Sequence, residues 1–112
     1  MIPKIGGRPV YYELDENHQA HPATRRGGID VFEGDFEKTR RVAQTLVGEA
    51  NVSTVFLGID HGGFGGGPPI LFETMVFGGQ YDDRQWRYST WDEAVAGHEA
   101  VVAALREGKE LQ

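Results

Sequence analysis

The sequence predicts an α+β fold: an antiparallel β-meander of about four to five strands with one C-terminal helix packed on one face. Three observations carry this. The runs Val52–Asp60 and Ile70–Phe77 are dense in β-branched and aromatic residues, the composition of buried strands. Thr39–Val47 alternates just upstream at hairpin distance. The segment after Thr90 carries apolar residues at helical spacing behind a capping signature.

The chain has 112 residues, which predicts a single domain spanning 1–112. In order, Pro9–Leu14 reads as a short strand after the Gly6-Gly7 turn, and Asp15–Gly28 as a polar loop. Ile29–Phe32 reads as a short edge strand. From Thr39, Val42, Gln44 and Leu46 fall on one strand face and Arg41, Ala43, Thr45 and Val47 on the other. A helix over Glu37–Val47 is the competing reading, and the close hairpin spacing favours the strand. Gly48–Asn51 is the turn. His61–Pro69 is too rich in glycine and proline for a regular element. Gly78-Gly79 ends the next strand, and Trp86–Tyr88 forms a last short one. Thr90 with Glu93 makes a capping box. Trp91, Ala94, Val95, His98, Val101, Val102 and Leu105 make the apolar stripe, and Gly108 the C-terminal stop.

Composition narrows the function. The absence of cysteine excludes a disulfide framework, a thiolate nucleophile and a cysteine-held zinc. Neither a signal pattern nor a bilayer-length apolar run is apparent, so the expected location is the cytoplasm, with no membrane partner. A net charge of −6, with only Arg25-Arg26 and Arg40-Arg41 as basic pairs, argues against a large nucleic acid. A small anion held by two or three arginines stays compatible.

The glycine loop fails as a Walker loop, since Pro68-Pro69 stand where lysine and serine or threonine belong. It also opens a strand rather than a helix, which excludes a dinucleotide fingerprint. What survives is a backbone donor surface over Gly63, Phe64 and Gly66, against the plainer reading of a long connection. Asp60-His61 sits on the shoulder of that loop. Glu73, amid an apolar strand and sharing a face with Leu71, Met75 and Phe77, is either solvent-facing or partnered. His98 reads as a bonded core histidine. Arg87, Tyr88 and Trp91 combine aromatics with a cation, the residue types that stack and neutralise a nucleotide, although most such aromatics pack a helix on a sheet. No serine–histidine–acid set or metal-ligand set stands out, so no catalytic residue, metal or cofactor is expected.

From Val52 onward the chain resembles a widespread group of small uncharacterised proteins of tailed phages and their bacterial hosts. The resemblance lies in Val52-Ser-Thr-Val-Phe-Leu-Gly-Ile-Asp-His61, in Gly67-Pro-Pro-Ile-Leu-Phe-Glu-Thr-Met-Val-Phe-Gly-Gly79 and in Trp86-Arg-Tyr-Ser-Thr-Trp-Asp-Glu-Ala-Val-Ala-Gly-His98. It implies an accessory, anti-defence role by binding, in the host cytoplasm if the protein is phage-encoded, either blocking a host enzyme or sequestering a nucleotide immune signal, and it transfers no catalytic residue. The expectation is a homo-oligomeric protein that binds a small nucleotide-like ligand without catalysis through Asp60, His61, Gly63, Phe64, Gly66, Glu73, Arg87, Tyr88 and Trp91. The alternatives are a protein-binding inhibitor of a host factor and a small enzyme using Asp60, His61 and Glu73.

Overall fold

The computed structural model describes residues 2–5, 7–26, 40–62 and 67–108. Its elements run β1 (Lys4–Ile5), β2 (Arg8–Pro9), β3 (Tyr11–Leu14), β4 (Ala20–Ala23), β5 (Arg41–Val47), β6 (Ala50–Phe56), β7 (Phe72–Phe77), β8 (Gln85–Tyr88) and the helix α1 (Trp91–Glu107). Strands β5-β6-β7-β8 form one sheet in sequence order, each pair antiparallel, and α1 packs across it. The α+β meander with a C-terminal helix is therefore the fold. Among the described residues no helix is long and apolar enough to cross a membrane.

Local chemistry fixes each boundary. Gly48 takes φ +58, which suits the first place of a two-residue hairpin turn, and Val47 pairs with Ala50 across it. The turn is thus shorter than Gly48–Asn51, and β6 starts earlier than Val52. It also ends earlier than Asp60, because Gly58 at φ +70 turns the chain out of the ladder. Leu57–Asp60 then runs beside β3 instead: Tyr12 N–H donates to Gly58 O and Asp60 N–H to Val10 O, both at 3.0 Å. At the other end of the sheet Gly78 and Gly79 pack against Glu49 and Ala50, far from the β6–β7 connection.

Two hairpins were not expected. β1 pairs with β2, and β3 pairs with β4 inside the span read as a loop. The Asp15 carboxylate closes the second turn by accepting from Asn17 and Gln19 N–H, at 2.8 and 2.9 Å. Pro22 is compatible with this strand because, among the described residues, β4 pairs on one side only. The expected strand Ile29–Phe32 lies outside the described residues.

α1 starts and stops as its sequence dictates. Thr90 Oγ1 accepts from Glu93 N–H, Glu93 accepts in return from Thr90 N–H, and Gly108 closes the other end in the left-handed conformation. Beneath it lie two apolar clusters. One gathers Ala50, Val52, Val76, Tyr81, Val101, Val102 and Ala104; the other gathers Tyr12, Phe56, Leu71, Phe72 and Ala94. Burying one such large side chain contributes about 1.5–3 kcal/mol.

A polar row joins residues from all four strands and the helix. Tyr88 OH donates to Thr74 Oγ1 (3.1 Å), Thr74 and Thr54 hydroxyls share a hydrogen bond (2.5 Å), Thr54 meets His98 Nδ1 (2.7 Å), and His98 Nε2 meets Thr45 (2.9 Å). His98 is the bonded core histidine that the apolar stripe required. If Thr74 donates to Thr54 and Thr54 to Nδ1, every hydroxyl proton from Tyr88 to Thr54 is used once. The opposite polarity leaves the Thr74 proton without an acceptor in the row. The row therefore selects the Nε2–H tautomer.

Burial lowers the pKa of His98, with a smaller opposing pull from Glu99. The unfolded imidazole, near 6.5, binds a proton more readily than the folded one, so stability is complete above that value and falls as pH drops through it. The urea midpoint should fall more steeply between pH 7 and 5 in the wild type than in His98→Gln; parallel curves would remove His98 as the source. Tyr88 reaches its partner by passing directly under Gly97, where a Cβ would overlap its ring and hydroxyl. Gly97→Ala should therefore cost about 2 kcal/mol in urea unfolding, against the usual gain from alanine in a helix.

Candidate functional site

The expected site residues separate into two groups because successive strand residues face opposite ways. Glu73 and Arg87 are register partners on the face away from α1, joined by Arg87 Nε–H donating to Glu73 Oε2 at 3.0 Å. Glu73 is thus both partnered and on the open face. Leu71, expected to share that face, precedes β7 and is buried. Tyr88, one residue after Arg87, turns under the helix. Trp91 opens α1 on the same side. Gly63, Phe64 and Gly66 lie outside the described residues.

Asp60 faces inward rather than projecting from the rim, with its side chain 5% exposed. Oδ1 accepts from Gly62 N–H (2.7 Å) and Ile70 N–H (3.0 Å), and Oδ2 takes the Arg8 guanidinium (2.8 Å). Burial pushes this carboxyl up, but the two backbone donors and Arg8 together outweigh it and hold the pKa below the ordinary value. Asp60 therefore brackets the neck of the glycine loop. Its neighbour His61 is exposed, and partial desolvation, then the Arg87 guanidinium, lowers its pKa, while Glu73 opposes. The fold thus gathers His61, Glu73 and Arg87 at one rim, with Asp60 behind them.

The concave feature lies on the other side of the loop. A cleft of about 370 Å³ opens between the β3–β4 tip, Pro68-Pro69 and the start of α1. Tyr12, Leu71 and Phe72 form its apolar floor, and all three are buried. Asn17 and Gln19 offer amides, Ser89 a hydroxyl and Asp92 a carboxylate, while the Thr90 hydroxyl is held by Glu93 in the helix cap. Among the described residues the lining contains neither lysine nor arginine. Of the expected ligand-binding residues that are described, only Trp91 lines it.

His18 stacks on Trp91, ring centroids 3.7 Å apart and planes within 9°. The edge of Trp91 meets Phe72 at 6.3 Å and 83°. This stack depends on an unusual backbone. His18 holds φ +62, a left-handed conformation that a non-glycine residue adopts at a cost. The Asp15 turn enforces it, and His21 Nε2 meets the other Asp15 oxygen at 2.7 Å. That contact, then the Gln19 N–H, lowers the Asp15 pKa.

Sequence reading missed the hairpin's share of this cleft because Asp15–Gly28 lacks strand periodicity. The available signal was Asp15 followed by Asn17 and His18, an aspartate-closed turn able to hold a left-handed residue at its tip.

No family model, curated protein or solved structure matches the chain.

Asp15→Ala should release the tip: His18 leaves Trp91, Trp91 fluorescence changes, and the Gln19 amide exchanges faster. An unchanged spectrum together with unchanged exchange would show that the stack does not need Asp15.

Proposed function

We propose that this protein binds a small nucleotide-like ligand and holds it without turning it over. The observation that carries this reading is the His18–Trp91 stack in the wall of the cleft: the two rings cover each other's inner faces at 3.7 Å, so a base would extend the stack on an outer face. The cleft's volume falls within the range of small-molecule sites, and an apolar floor with a few convergent amides and hydroxyls is how such sites fix a flat ring. Aromatic stacking on a base contributes about 1–3 kcal/mol. With Asp92 in the lining and neither lysine nor arginine among its described residues, the cleft suits a base and sugar better than phosphates.

The resemblance to phage accessory proteins supports sequestration as the purpose, in the manner of a nucleotide sponge within a host cell. A held ligand needs affinity, and this site offers stacking and polar edges for that.

The test is a thermal-shift and calorimetric screen against nucleosides, mononucleotides, cyclic dinucleotides and ADP-ribose derivatives. At about a hundred times Kd, a binder should add about 2.7 kcal/mol of stability. Trp91→Ala, which removes the larger ring of the stack, should weaken it by roughly five- to hundredfold, as expected for losing one stacking partner. The ligand should return intact on denaturation, as read by chromatography. Absence of a shift with every nucleotide, or consumption of the ligand, overturns the reading.

A further inference from the structure

The two edges of the main sheet are built differently. β8, at one edge, has four residues, among them Arg87 with its charge on the open face. Short length and charge are the usual protections of an exposed edge. β5, at the other edge, has seven residues, Arg-Val-Ala-Gln-Thr-Leu-Val, with no proline, no lysine and its one charge at the end. Among the described residues it is paired only with β6. Its Leu46 is 71% exposed, the highest value among the large apolar side chains of the described residues.

We propose that β5 is a docking strand for a second copy of this chain, paired antiparallel about a two-fold axis at Thr45. The register follows from the turn. A two-residue hairpin closes on a hydrogen-bonded pair, so Val47, Thr45 and Ala43 aim their backbone groups at β6. Gln44 and Leu46 therefore aim theirs outward. An axis at Thr45 sets Gln44 opposite the second copy's Leu46 and the reverse, so each free N–H and C=O of the two residues finds a partner. An axis at Gln44 would instead bring in Val42, where the Arg41/Ala43 register shift spoils the ladder.

Side chains agree with this register. Leu46 lies over the methylenes of the opposite Gln44. On the helix face Thr45 meets Thr45, and Ala43 meets Val47, both half-buried in one copy alone. Counting outward from the axis, Arg41 of each copy reaches the Gly48-Glu49 turn of the other. Both Arg41 and Glu49 are exposed and of opposite sign, and like charges are not opposed. The partner fits because the strand is complementary to itself, as a two-fold interface requires. The result is one continuous sheet of two meanders, with a helix over each half.

The experiment is analytical ultracentrifugation of the full chain across about 1–500 µM, a range suited to a small interface. The mass should rise with concentration from 12.4 kDa to twice that value. Leu46→Lys, on an exposed side chain, should hold the protein at the monomer mass with its circular dichroism unchanged. Arg41→Glu and Glu49→Arg should each weaken the dimer by about three- to tenfold, since every contact occurs twice. The two changes together should restore it. A wild type that stays monomeric throughout, a Leu46→Lys protein that dimerises normally, or a paired charge exchange that fails to rescue each overturns the proposal.

Discussion

The row from Tyr88 through Thr74, Thr54 and His98 to Thr45 is the constraint on which the rest of the packing depends. It takes one side chain from each strand of the meander and one from the helix. It crosses the core between two apolar clusters that would otherwise be free to slide. Apolar contact is tolerant of small shifts, whereas a hydrogen bond is not. A slip of one residue in any strand sends its hydroxyl to the far face and leaves partners buried and unpaired, at about 1–3 kcal/mol each. The row thus specifies register, where the clusters around it supply the main driving force. Glycine at position 97 belongs to the same device, since it leaves room for the Tyr88 ring.

How much of this was legible in the sequence depends on the range of the signal. The capping box, the helix stripe and the meander order are written in neighbouring residues, and the structure has them. The strand expected over Val52–Asp60 starts two residues earlier and ends four residues earlier, at Phe56, because Gly58 interrupts an otherwise continuous β-branched run, and the one expected from Ile70 starts at Phe72. The β3–β4 hairpin was hidden for a different reason. Its strand is Ala-His-Pro-Ala, which has no alternation to read, and its stability comes from Asp15 and from its place against Leu57–Asp60.

The candidate site was half legible for a geometric reason. Composition can mark Asp60, His61, Glu73, Arg87, Tyr88 and Trp91 as chemically interesting, but it does not say on which side of a sheet each lies. Period two sends Arg87 to the open face and Tyr88 beneath the helix. The cleft then draws its remaining walls from a segment some seventy residues upstream of Trp91, a juxtaposition only the fold supplies. Asp60, the most chemical-looking of the set, spends both oxygens on architecture.

That architecture has a consequence for how the chain tolerates change. One carboxylate grips the two ends of the glycine loop, at Gly62 and Ile70, and anchors them to Arg8. The meander therefore senses the two gripped ends, not the length of chain strung between them. Lengthening a surface connection costs little, because closure entropy grows only with the logarithm of its length. Extra residues inserted between the gripped ends and Pro68-Pro69, which wall the cleft, should therefore leave the register of the ladder unchanged.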